Sequence, residues 1–140
     1  MKHTAADADT LARTVFGEAR GEKREGQTAV AWVIRNRVEM DLGNDGKPDW
    51  WGEGIQGVCK KPGQFSCWLK SDRNARIIQA VTIDHPVFRQ CLLVADDVLR
   101  NAVADPTIGA THYHHHAIKP AWIKGATVTR RIGAHIFSRA

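Results

Sequence analysis

The sequence predicts an α+β fold, mainly helical with a small β element, and three observations carry that expectation. Apolar residues recur at helical spacing over most of the first hundred positions; a stretch rich in Gly, Asp and Trp interrupts them; and two segments near the end, 111–116 and 127–137, read as extended chain. The 140-residue length suits one domain, 1–140, large enough to bury a core. With 43% apolar and 25% charged residues the composition is that of a globular chain, which excludes the disordered class. No apolar run approaches the roughly 18 residues needed to span a bilayer. The start, Met1-Lys2-His3-Thr4-Ala5-Ala6-Asp7, lacks an apolar h-region, so neither a membrane span nor an export leader is expected.

The first helix is read from Leu11, Val15 and Glu18, with Ala12 and Phe16 widening the apolar stripe. Asp7, Asp9 or Thr10 can cap its start, and its end falls between Gly17 and Gly21. Glu18 therefore leaves the last turn on the buried stripe rather than on the solvated side. A second helix, about Glu25 to Met40, carries Ala29, Val30, Val33, Ile34 and Val38 on one face, and Arg37 falls inside that arc. Its guanidinium must snorkel to solvent, the expected outcome, or meet buried carbonyls or a carboxylate.

From Asp41 to Gly63 the chain is turn-rich and too long for an idle connection, a length that suits the shaping of a cleft. Phe65 to Leu69 reads as a short strand and Asn74 to Ile83 as a helix. Asp84-His85-Pro86 is a cap followed by a first-turn proline, opening a helix to about Asn101 with Val87, Cys91, Val94 and Val98 inward. Lys119-Pro120 and Lys124-Gly125 separate the two extended segments. No repeat or linker divides the chain.

Twenty Lys and Arg against 15 acidic residues give a formal charge of +5 and a pI near 9.4, which favours encounter with polyanions such as an anionic cell envelope or nucleic acid. The basic residues are scattered, however, so charge alone selects no partner. Cys59, Cys67 and Cys91 are odd in number and lack C-x-x-C spacing, and reduced thiols are expected. Cys91 reads as core; Cys59 and Cys67 flank a loop and could pair only in an oxidising compartment.

Glu18 is the residue whose position suggests chemistry. Cleaving a glycosidic bond needs an acid still protonated near neutral pH, and a carboxyl at a helix C-terminus on the buried stripe meets both desolvation and the negative end of the helix dipole. The alternative is a partly exposed glutamate paired with Arg20, Arg24 or Arg37.

The run Ala12-Arg13-Thr14-Val15-Phe16-Gly17-Glu18-Ala19-Arg20-Gly21-Glu22, followed by Glu25-Gly26-Gln27-Thr28-Ala29-Val30-Ala31 and Asn36-Arg37-Val38, resembles the SleB-type cell-wall hydrolase family. Three more blocks fit in the same order: Pro62-Gly63-Gln64-Phe65-Ser66, then Asp105-Pro106-Thr107-Ile108-Gly109-Ala110-Thr111-His112-Tyr113, and last Ile132-Gly133-Ala134-His135-Ile136-Phe137. The resemblance covers almost the whole chain. It implies a lysozyme-like α+β domain with a small β element beside the active-site cleft, acting on peptidoglycan as in spore-cortex lytic enzymes and lysis proteins of bacterial viruses. The general acid it implies is Glu18. In the transglycosylase route a muramic-acid hydroxyl attacks its own anomeric carbon, so one carboxyl suffices. Hydrolysis would ordinarily need a second carboxylate, for which Glu22, Asp41, Asp45 and Asp49 are the candidates, Glu22 reading otherwise as a solvated or capping residue.

By the same resemblance Gln64, Phe65 and Ser66 belong on the β element beside the cleft, contacting an acetamido sugar, although Phe65 reads equally as core. Trp50, Trp51 and Trp68 lie in or near loops, where rings either pack or stack on sugars. His112, His114 and His116 would share one face of a strand, a start for a zinc site to which His135 could be a distant addition. The same run reads as a wall of sugar-contacting residues, His112, Tyr113 and His114, and His135 as a hydrogen-bonded core residue.

The expectation is a monomeric peptidoglycan-cleaving glycosidase with Glu18 as acid, no cofactor, no metal and no nucleic-acid partner, acting as a viral lysis enzyme held in the host cytoplasm until release to the wall. The alternative is a zinc-dependent amidase or peptidase built on the cluster from His112 to His116. A non-catalytic wall-binding or nucleic-acid-binding module follows from charge alone.

Overall fold

The first helix begins earlier than its apolar stripe, because Thr4 caps it in partnership with Asp7. In the computed structural model, which describes residues 1–40, 51–62 and 64–140, helix α1 spans Ala5–Ala19. The Thr4 hydroxyl accepts from the Asp7 N–H at 3.1 Å and the Asp7 carboxylate accepts from the Thr4 N–H at 2.9 Å, a reciprocal capping box. Asp7 thus acts as the third helical residue of the box, not as the cap itself. Helices α2 (Arg24–Glu39), α3 (Gly54–Lys60), α4 (Arg73–Ala80) and α5 (Pro86–Leu99) follow.

Caps also fix α4 and α5. Asp72 accepts from the Asn74 N–H at 2.8 Å, and His85 Nδ1 accepts from the Val87 N–H at 3.1 Å with Pro86 in the first turn. α4 ends at Ala80, short of the expected Ile83, whose side chain is exposed. On α5 the buried row is Phe88, Cys91, Val94, Ala95, Val98 and Leu99; Val87 is only half-buried.

α1 packs against α2, α3, α4 and α5, and α2 against α3 and α5. Their inward faces, Leu11, Val15 and Phe16 from α1, Val30, Val33 and Ile34 from α2, and Phe88, Val94 and Val98 from α5, join one buried cluster. Phe16 and Phe88 meet edge-to-face with centroids 5.9 Å apart. Cys59, Cys67 and Cys91 are buried and form no disulfide.

Two expectations are corrected. Residues 65–69 form no strand: the Trp68 N–H bonds to the Phe65 carbonyl at 3.1 Å and the Leu69 N–H to that of Ser66 at 2.9 Å, closing a 3-10 turn over Ser66–Trp68. Cys67 drops from that turn onto Gly17, and this packing replaces any sheet pairing. The segment 127–137 is not one extended run but a hairpin, β2 (Thr127–Ile132) and β3 (His135–Arg139), turning at Gly133 with φ +57. Ile132 and Phe137 both face the core, and the turn between them lets one side of each strand reach it. With β1 (His112–His115) these strands make an antiparallel sheet in the order β1-β3-β2.

The chain enters β1 through a loop organised by Asp105, which accepts from the Thr107 N–H and hydroxyl and from the Gly109 N–H. Asn36 of α2 donates to Asp105 and to the Ala110 carbonyl, each at 2.9 Å, so β1 is registered against α2 before the sheet begins.

Among the described glycines within helices the most crowded is Gly17, where an added Cβ would lie 2.8 Å from Cys67 Cβ and 3.1 Å from Ile78 Cγ2. Gly17→Ala is therefore expected to destabilise the protein by about 1–3 kcal/mol despite the better helix propensity of alanine, read as a lower midpoint in urea unfolding. A midpoint equal to or above the parent's would show that the Cys67 turn yields freely.

Candidate active site

Glu18 sits in the last turn of α1, where the helix end, β1 and the 3-10 turn meet. Its side chain is half-buried, and Oε1 accepts the Tyr113 hydroxyl proton at 2.7 Å across most of the chain length. Burial raises the Glu18 pKa above its ordinary 4.5; hydrogen bonds from Tyr113 and the Cys67 thiol oppose that rise, the Asp72 charge adds to it, and the Arg37 charge opposes it. Glu18 makes none of the described ion pairs. Arg20 donates to Asn74 at 2.7 Å and Arg24 to Asp97 at 3.0 Å, so neither is its partner.

Tyr113 reaches Glu18 because alternation along β1 turns it inward, toward His135 and Phe137 of β3. Its enclosed hydroxyl is raised well above the ordinary phenol value, by burial first and then by the neighbouring carboxylate. It therefore stays protonated and serves as a donor.

Arg37 does not snorkel. Its Nε donates to the Thr111 carbonyl at 2.7 Å and a terminal nitrogen to the Gln64 side chain, while its guanidinium lies over Trp51 and Phe65 at 5.7 and 5.5 Å from the ring centroids. Thr111 is itself buried, and a carbonyl left without water rewards an inward guanidinium. Gln64 passes the tie on to the Trp51 carbonyl. Gln64 is thus an internal brace, Phe65 is core at 3% exposure, and only Ser66 of that expected sugar-contacting trio is exposed. None of the three is on a β element. Trp68 packs inward and donates to Thr14 at 2.9 Å.

The histidines divide. His112 and His114 share the face of β1 opposite Tyr113, whereas His116 lies beyond the strand, exposed and stacked on His115 with centroids 4.5 Å apart. The expected row of three imidazoles does not form, because the strand ends at His115. Among the described residues no group of three or more His, Cys, Asp or Glu side chains converges in a way that could hold a metal ion.

Glu22 is not solvated but engaged with the sheet. Its Oε1 accepts from the Ala134 N–H at 3.0 Å and lies 3.3 Å from His135 Nδ1, so it pins the β2–β3 turn to the start of α2. His135, expected to be a hydrogen-bonded core residue, is half-buried, and its Nδ1 makes no aligned hydrogen bond. Burial depresses its pKa, against the pull of Glu22. Asp41, Asp45, Asp49 and Trp50 lie outside the described residues.

The model of the family described as Cell Wall Hydrolase matches residues 21–138. The chain belongs to this family. The chain is 32% identical to the spore cortex-lytic enzyme of Bacillus subtilis over 94% of its own length and 37% of that protein's. It is equally 32% identical to the spore cortex-lytic enzyme of Halalkalibacterium halodurans, over 94% and 34% respectively. The chain therefore spans about two-fifths or less of the length of these relatives. Its structure is similar to the catalytic domain of the germination-specific lytic transglycosylase SleB from Bacillus anthracis, with TM-score 0.70, 27% identity, and 98% and 97% of the two chains covered. The catalytic domain of Bacillus cereus SleB gives the same TM-score and identity over 99% and 93%. The SleB-type resemblance and the lysozyme-like α+β fold read from the motifs are thus both shown.

In this cell wall hydrolase family member, sequence reasoning missed Asp72, Cys67 and the Arg37–Gln64–Trp51 chain. Asp72 could have been found as the Asp-x-Asn cap of α4; the others depend on contacts between distant segments.

The Tyr113 bond carries a pH signature. Because the folded pKa of Glu18 is raised, the protonated form favours folding: that stability is full below pH 4.5 and is lost as pH rises through the folded value. Tyr113 limits the loss by donating to the carboxylate, so Tyr113→Phe is expected to cost on the order of 1.5–3 kcal/mol near pH 7 and distinctly less near pH 4, in thermal or urea unfolding. Equal costs at both pH values would mean that the hydroxyl does not serve the ionised acid.

Proposed function

We propose that this chain cleaves the glycan strand of peptidoglycan by a lytic transglycosylase route, with Glu18 as acid and then base. The observation that carries this reading is the Glu18 carboxyl itself, held half-buried with Tyr113 on one oxygen. With Oε1 engaged by the phenol, the acid proton resides on Oε2, free to pass to the bridging oxygen. That bond to the anomeric carbon breaks, and the departing sugar leaves as an alcohol while oxocarbenium character develops. The carboxylate left behind is steadied by the Tyr113 hydroxyl and the Arg37 charge, then takes the proton of the muramic-acid hydroxyl as its oxygen closes onto the anomeric carbon. The proton count balances without water or a protein nucleophile.

The site favours this route over hydrolysis in one respect: Glu22, the carboxylate nearest Glu18 in sequence, is committed to Ala134 and His135. The lytic transglycosylase named among the structural neighbours supports the same reading. The zinc amidase alternative loses its basis with the separation of His116 from His112 and His114. Ser66, His112 and His114 remain proposed sugar contacts; Gln64, Phe65 and Tyr113 act by holding Arg37 and Glu18.

Glu18→Gln is expected to keep the fold and to reduce release of anhydro-ended fragments from purified sacculi by about 10²–10⁴-fold, scored by mass spectrometry. Undiminished release by a folded Glu18→Gln protein would overturn the assignment.

We also propose that the protein serves as a lysis enzyme of a bacterial virus and acts as a monomer. The charge of +5, suited to approaching an anionic envelope, supports this, and no helix among the described residues is long and apolar enough to cross a membrane. Produced inside a bacterial host, the protein is expected to leave growth unchanged until the inner membrane is permeabilised, when turbidity should fall. Lysis without permeabilisation would contradict this route of delivery.

A further inference from the structure

The face of β1 turned away from Glu18 carries aromatic residues that the acid does not use. His112 and His114 project from it, and the 3-10 segment Ala121–Gly125 folds back so that Trp122 lies across both rings, with centroids 5.1 Å from His112 and 5.5 Å from His114. Trp51 approaches His112 from the other side at 5.9 Å. The four rings meet tilted or edge-to-face, the arrangement aromatic quadrupoles prefer, and none is sealed into the core. Trp122 keeps 38% of its surface exposed.

Three features say what the surface is for. It is anchored: Thr111 Oγ1 lies 3.0 Å from His112 Nδ1 and fixes that ring at the start of the strand. It contains an unsatisfied polar atom, since His114 Nδ1 is enclosed yet makes no bond within the described protein. It is continuous with the acid site, because the Trp51 ring that touches His112 also faces Arg37, whose charge acts on Glu18. Flat aromatic faces interleaved with hydrogen-bonding nitrogens match a pyranose, which offers C–H groups on one face and hydroxyl and acetamido groups at its rim. Burial and the nearby Arg37 charge lower the His112 pKa, so that ring is neutral at neutral pH and repels no cation on a peptide-bearing strand.

We infer that Trp122, with His112, His114 and Trp51, forms a stacking subsite for an N-acetylated amino sugar of the same glycan strand, outside the position where the bond is cut. This rests on the glycan-cleaving reading and names the residues that hold the strand in register. Such a subsite contributes mostly to uniform binding, so its loss should raise KM far more than it lowers kcat.

Binding can be measured without turnover in the Glu18→Gln background, with soluble glycan oligomers prepared from peptidoglycan as the probe. Adding Trp122→Ala is expected to weaken binding at least tenfold, and Trp122→Phe to recover part of it. Because Trp122 is surface-exposed, unchanged thermal unfolding of both variants serves as the control; His112→Ala is the second variant should Trp122→Ala fail to fold. Oligomer affinities equal to the parent's in every folded variant would overturn the subsite. So would a result in which Trp122→Ala alters only self-association in sedimentation, which would make the ring a contact between copies. The outcomes separate from those of the cleavage reading: if Glu18→Gln still releases fragments, the acid assignment fails whatever Trp122 binds, and if only the oligomer affinities stay unmoved, the subsite fails and the acid stands.

Discussion

A carboxylic acid that must give up a proton at neutral pH needs surroundings that make its ionised form costly, yet not so costly that the donated state cannot exist. For the acid role proposed for Glu18, that balance is struck at one contact, the bond it accepts from the Tyr113 hydroxyl. Desolvation at the end of α1 pushes the acid's pKa up; Tyr113, Cys67 and Arg37 pull it part of the way back. Each of those three comes from a different part of the chain, so the acid acquires its character only when α1, α2, the turn after α3 and β1 have all docked.

The rest of the architecture can be understood as what that docking requires. Arg37 can stand near a buried carboxyl without forming an ion pair because Thr111 and Gln64 occupy its donors. A lone buried guanidinium would be expensive, and one clamped to Glu18 would fix the acid in its ionised form. Asn36, one residue earlier on α2, holds the Asp105 loop and so sets where β1 begins. Gly17, one residue before the acid, lets Cys67 approach α1 closely enough for its thiol to reach the carboxyl. The neighbours of Glu18 and Arg37 in sequence thus perform the positioning that the two charged groups cannot perform for themselves.

Much of this was legible in the sequence, and the pattern of what was not is physical. α2 and α5 were readable because a 3.6-residue apolar period is a local property, and the inward direction of Glu18 follows from the same period. The strand expected at 65–69 failed because Phe65 and Cys67 are buried by a turn that packs on Gly17, a contact between segments far apart in the chain. The hairpin was missed because both halves of 127–137 have strand composition and only the backbone angle at Gly133 distinguishes a turn from a continuation. Arg37 was misread because helical position shows that a charge enters the apolar arc but not that a carbonyl such as that of Thr111 waits there. The histidine run was read correctly as alternating, yet alternation puts Tyr113 and the pair His112 and His114 on opposite faces, so a single wall containing all three could not form.

Glu22 adds a consequence of a different kind. By gripping Ala134 next to His135, it ties the far end of the sheet to the same short bend that follows the acid. Fraying of the hairpin would therefore withdraw Tyr113 and admit solvent to the end of α1 in one event, leaving an ordinary ionised glutamate with no proton to offer. Under the proposed mechanism a partly opened molecule would be chemically silent, and activity would report on the completeness of folding.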